Sequence, residues 1–223
     1  MSAVNVTSRA LGMGLGVILC LGSVAPAQAA KPPQVTEDGL ELTKVKGVDL
    51  LYRRPGATLT GYTKVMVDPV QVAFSKSWNP RDYGTFGLKA SEVDRIRTEL
   101  GKLARDTFVK TLQEGGYPES SAADEGVLRV TAYIVDLYVT APDTMQAGRS
   151  RTYVANAGQM TLAIELRDAV TGTLLARALD RATASDTGRF QWSNSVMNRA
   201  EAERALSSWA KRLKDALDAA KMP

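Results

Sequence analysis

The 223-residue sequence contains no histidine, and its one cysteine, Cys20, lies in an apolar run near the N-terminus. Without imidazole there is no Ser–His or Cys–His nucleophile pair, and a zinc site of His and Cys ligands has nothing to build on. A single cysteine also excludes any intrachain disulfide. No G-x-S-x-G elbow, Walker loop or D-x-D-x-D-G calcium loop occurs. Gly12, Gly14 and Gly16 follow no strand, so they do not make a dinucleotide fingerprint. No metal and no cofactor is therefore expected. Neither sign of charge predominates. Twenty-eight Lys and Arg face 24 Asp and Glu, and a net +4 without a basic stripe gives no reason to expect nucleic-acid binding.

What the first 29 residues do contain is one charge, Arg9, followed by an apolar stretch from Ala10 to Leu21 and the small-residue end Ala27-Gln28-Ala29. That is the pattern of a secretory signal peptide, too short to span a bilayer of about 20 apolar residues. Cleavage near Ala29 is expected, which removes Arg9 and takes the net charge from +4 to +3. A periplasmic destination follows, with no transmembrane helix after cleavage and peripheral membrane association left open. Bulky Leu19 before Cys20 argues against lipid anchoring at that cysteine. Three segments are expected: signal peptide 1–29, a Lys- and Pro-led tether 30–45, and one domain over 46–223.

Within the domain, Val48–Arg53 and Lys64–Phe74 read as strands, with Pro69 placing the second at an edge or at a bend. Ser91 and Asp94 have capping-box spacing ahead of a helix whose apolar stripe is Val93, Ile96, Leu100, Leu103 and Leu112. Val127–Val139 is a long strand. Met160, Leu162, Ile164 and Leu166 alternate with polar residues, turn at Asp168–Gly172, and return along Leu174–Arg181. A last helix is expected to be capped by Asn198 and Glu201, with Leu206, Trp209, Leu213 and Leu217 on its apolar face. The order β-β-α-β-β-β-α predicts an α+β two-layer sandwich, a mixed or antiparallel sheet with both helices on one face.

Tyr52-Arg53-Arg54-Pro55-Gly56-Ala57, Leu59, Tyr62-Thr63-Lys64-Val65 and Val67-Asp68-Pro69-Val70 resemble a bacterial family known as domain of unknown function 3313. The Asp168–Gly172 turn with Leu174-Leu175-Ala176 is similar to it too. The resemblance implies an exported envelope protein, in related members often a lipoprotein, with no assigned activity.

Candidate chemistry is thin. Ser75-Lys76-Ser77 offers a formal Ser–Lys pair in a loop. Asp136 and Asp180 interrupt apolar strands and would be the acids of a hydrolase acting on cell-wall glycans. Their structural alternative is a strand-end carboxylate satisfied by loop N–H groups or an arginine. The stronger signal is aromatic. Five of fourteen aromatic residues fall in two predicted loops: Trp78, Tyr83 and Phe86 in one, Phe190 and Trp192 in the other. They are either lids over an open core or a contact patch for an envelope protein or glycan. Arg149 and Arg151 in a third long loop extend that candidate binding surface. The leading expectation is a non-catalytic interaction module of the envelope. A glycan hydrolase and a small-ligand binder are the alternatives.

Overall fold

Strands β5 (Val127–Tyr138), β6 (Gln159–Asp168) and β7 (Leu174–Thr183) form the centre of the sheet because their apolar residues alternate in register. Val130 faces Leu166 and Ala176, and Ala132 faces Ile164 and Ala178, so one face of three strands is apolar throughout. The computed structural model describes residues 31–82, 87–139, 158–183 and 195–221. Among them the sheet has seven strands in the order β1 (Glu41–Thr43), β2 (Leu50–Arg53), β7, β6, β5, β3 (Lys64–Val67), and β4 (Gln71–Phe74) also pairs with β5. β3 and β4 both run parallel to β5 and the remaining pairings are antiparallel, so the sheet is mixed.

The expected single strand 64–74 is split. Asp68 still donates its N–H to the Val130 carbonyl, but Pro69 has no N–H to give, and the chain leaves β5 there before rejoining it as β4. Both the edge position and the bend that Pro69 implied are present.

Two helices cover the apolar face. α1 (Ala90–Glu114) buries Leu100, Ala104, Phe108 and Leu112, and α2 (Ser195–Lys221) buries Leu206, Trp209, Ala210, Leu213 and Leu217 in the same core. The chain is thus α+β, with both helices on one side of the sheet. Both caps differ from expectation. α1 starts before Ser91, with Glu92 accepting the Lys89 N–H at 2.8 Å, while Asp94 pairs with Arg97. α2 starts at Ser195, so Asn198 lies inside it and Glu201 pairs with Arg204.

Gly101 decides how close α1 can come. A Cβ there would sit 2.6 Å from the Val70 carbonyl oxygen, in the link between β3 and β4. Gly→Ala at an open helix site gains about 1 kcal/mol. At Gly101 the backbone overlap outweighs that gain, and Gly101→Ala is expected to lose about 1–3 kcal/mol in thermal unfolding, as overpacking does.

The expected tether is overturned from Gln34 onward. Gln34–Thr43 folds as a hairpin whose Leu42 N–H bonds Gln34, and Thr36 Oγ1 accepts the Leu40 N–H at 3.1 Å. Leu40 is fully buried against Tyr52 and Leu174 on the sheet face away from the helices. That small cluster ties β1 down, and Pro33–Pro223 constitutes one compact unit.

Candidate functional site

Strand directions gather the long connections. β4 is parallel to β5, β6 antiparallel to β5, and β7 antiparallel to β6. Phe74, Tyr138, Gln159 and Thr183 therefore lie at one end of the sheet, from which the connections 75–89, 139–158 and 184–194 leave. These are the three segments that carry every aromatic and arginine of the expected binding surface. Tyr83, Phe86, Arg149, Arg151, Phe190 and Trp192 lie outside the described residues.

Trp78 is described, and it is a lid. Its ring stacks on Phe74 with centroids 4.1 Å apart, its Nε1–H donates to the Val139 carbonyl at 3.1 Å, and only 7% of the residue is exposed. Arg97 lies over the other aromatic of the pair, 5.8 Å from the Phe74 ring. Trp78 therefore braces the end of β4 against the end of β5. In the same loop Ser75 and Ser77 share a hydrogen bond at 3.0 Å while Lys76 is exposed to water, so no desolvated amine activates either hydroxyl.

The two acids separate completely. Asp180 is buried and held by three donors: Oδ1 accepts the Asp49 N–H at 3.0 Å, and Oδ2 accepts Trp209 Nε1–H at 2.7 Å and Arg212 at 2.6 Å. Asp49 returns the contact by accepting the Arg181 N–H at 2.9 Å. One carboxylate thereby joins β7, the β1–β2 connection and α2, as the structural alternative for a strand-end acid required. Asp136 is exposed, at φ 53°, in the β5 bulge where the pairing with β6 shifts register. Asp is among the few residues that tolerate this left-handed conformation. β6 lies between the two acids. Among the described residues no three acids gather as a metal site requires.

The face away from the helices carries a charged row that the sequence did not reveal. Glu165 bonds both Arg167 and Arg177, and Arg177 reaches Asp38 at 2.8 Å. Next to it Asp68 accepts from Arg129 and from Thr131 at 2.6 Å. Partial burial works to raise both carboxyls, but the arginine and threonine hydrogen bonds outweigh it and hold Asp68 and Glu165 below the usual carboxylate range. The pairings make this a self-satisfied surface, with cross-strand partners that β periodicity alone cannot assign.

At the opposite end, Tyr62 donates to Asp168 at 2.9 Å and Tyr117 to Asp218 at 2.8 Å. Burial first, then the hydrogen bond to a carboxylate, pushes each phenol up to about 12. The raised values mean that the stabilisation is whole below pH 10 and is lost as pH climbs from 10 toward 12, because the unfolded chain ionises first. Absorbance titration is expected to show Tyr62 and Tyr117 ionising late, together with unfolding. A single transition for all tyrosines near pH 10 would contradict it.

The family model described as "Protein of unknown function (DUF3313)" matches residues 35–213. The chain belongs to this family. The match begins at the buried N-terminal hairpin and runs through most of α2, so the DUF3313 unit is the sandwich itself. Comparison with curated proteins yields no match. Among solved structures, the chain is similar to a PelC dodecamer from Paraburkholderia phytofirmans at 16% identity and TM-score 0.35, covering 70% of this chain and 94% of that one. A DUF330 protein from Xanthomonas campestris is similar at 12% identity and TM-score 0.38, covering 72% and 86%. A DUF4136 protein from Bacteroides thetaiotaomicron is similar at 11% identity and TM-score 0.38, covering 75% and 95%. Likeness at this level carries no argument about what the DUF3313 chain does. Among the described residues no helix is long and apolar enough to cross a membrane.

Proposed function

We propose that the chain is a non-catalytic binding module of the bacterial cell envelope, contacting an envelope protein or glycan at the end of the sheet where its long connections converge. The leader pattern of residues 1–29 supports export to the periplasm, with the sandwich released near Ala29. The observation that carries the reading is the convergence itself: the segments bearing Tyr83, Phe86, Arg149, Arg151, Phe190 and Trp192 all spring from one braced end. Trp78 and Asp180 serve there as framework. Asp180, buried and already accepting from three donors that tie it to the β1–β2 connection and α2, weighs against the glycan hydrolase, whose acid must reach its substrate.

Photo-crosslinking in cells tests the reading. A photoreactive residue replacing exposed Lys76, at the convergent end, is expected to give a discrete adduct. The same residue replacing Thr171, in the exposed turn at the opposite end, should give none. Adducts from Thr171 alone, or from neither position, would overturn it.

A further inference from the structure

The β1–β2 connection presents an apolar side chain between two unpaired cations. Lys44, Val45 and Lys46 are all exposed, Val45 by 46%, and among the described residues neither lysine meets an acid. Val45 is one of three large hydrophobic side chains exposed among those residues. Two more cations stand beside the tip. Arg181 is exposed one strand away, and Arg212 comes within 3.9 Å of where a Cβ on Gly47 would lie. The acid of the connection, Asp49, is occupied with the Arg181 N–H. Because β2 is antiparallel to β7, this tip projects from the same end of the sheet as Thr183.

The chain also enters the sandwich there. The Leu42 N–H bonds the Gln34 carbonyl, which sets Pro33 and Gln34 beside Leu42 and Thr43, at the foot of the tip. Thirty residues precede Lys31 in the sequence, including the apolar stretch Ala10–Leu21. Val170, 60% exposed in the β6–β7 turn, marks the opposite end.

We propose that Lys44-Val45-Lys46 is an interfacial contact for an anionic phospholipid bilayer, with Val45 entering the headgroup layer while Lys44, Lys46 and Arg181 meet lipid phosphates. An apolar side chain flanked by cations suits the boundary between water and acyl chains, where each lysine near an anionic surface adds to binding. The tip shares this end of the sheet with the loop-borne binding surface, but the proposal rests on its own residues and not on that reading.

The test uses the full chain carrying Cys20→Ser and Val45→Cys, labelled at residue 45 with an environment-sensitive fluorophore. It is mixed with vesicles of phosphatidylethanolamine and phosphatidylglycerol. A blue-shifted, severalfold brighter emission, quenched by lipids spin-labelled near the headgroup, is expected. The same label on Val170→Cys should stay in water, which separates tip contact from insertion of the leader alone. Adding Lys44→Gln and Lys46→Gln should weaken the response about 30-fold with an unchanged melting temperature. An unshifted label at 45, an equal shift at 170, an equal response with phosphatidylcholine, or the same response to soluble polyglutamate would each overturn the proposal.

Discussion

Asp180→Ala is expected to lower the melting temperature by about 10 °C, from a loss of about 3–4 kcal/mol spread over a domain of this size. Three donors from three parts of the fold converge on that carboxylate. Removing it leaves the Trp209 indole N–H buried without a partner and the Arg212 guanidinium without its counter-ion. The first is more costly than the loss of a paired hydrogen bond, while Arg212, with 41% of its side chain exposed, is partly rehydrated. The Asp49 N–H also loses its acceptor, freeing the β1–β2 connection from β7. Asp180→Asn keeps one oxygen and should fall between the two, by about 1–2 kcal/mol. A catalytic Asp180 would behave in the opposite way, with the substitution leaving the melting temperature unchanged and abolishing a turnover.

Trp78→Ala is expected to cost about 3 kcal/mol, the lower part of the range for removing a buried aromatic ring, because the site lies at the margin of the core. The ring covers Phe74 and ties its nitrogen to the last described residue after β5. Its loss exposes the end of β4 and takes one hydrogen bond from Val139, the point from which the longest connection departs. Thermal unfolding of Trp78→Ala and Trp78→Phe separates the two contributions. Trp78→Phe retains the stacking and loses the hydrogen bond, so its loss should be about 1 kcal/mol. A Trp78→Ala protein with unaltered stability would return Trp78 to the partner-contact role that its loop position first suggested.

The central hairpin was legible because Met160, Leu162, Ile164 and Leu166 alternate without a break, and because Asp168–Gly172 has turn chemistry. The helices were legible from their leucine spacing. Their start points were not, since a backbone N–H bonded by Glu92 competes equally well with the Ser91 cap. The small residues Gly101 and Ala104 escaped the apolar stripe although Gly101 brings the helix against the Val70 carbonyl and Ala104 is fully buried, because lack of volume leaves no mark in hydrophobic periodicity. Leu40 and Leu42 were hidden in a polar stretch where two leucines cannot set a period, and so β1 was read as tether. For the site, the sequence singled out Trp78 and Asp180 as anomalies: a ring in a loop, an acid in an apolar strand. It could not say which role each plays, because that depends on Phe74, Val139, Asp49, Trp209 and Arg212, which reach them only through the fold.

The most direct test of the account is a side-by-side melt of Asp180→Asn, Asp136→Asn and Asp136→Gly. The two acids look alike in sequence, yet one fastens three elements and the other stands exposed at φ 53°. The account predicts a lowered melting temperature for Asp180→Asn, no change for Asp136→Asn, and a gain of up to about 1 kcal/mol for Asp136→Gly, which relieves the left-handed backbone. Unchanged stability of Asp180→Asn, or equal losses at both positions, would contradict it.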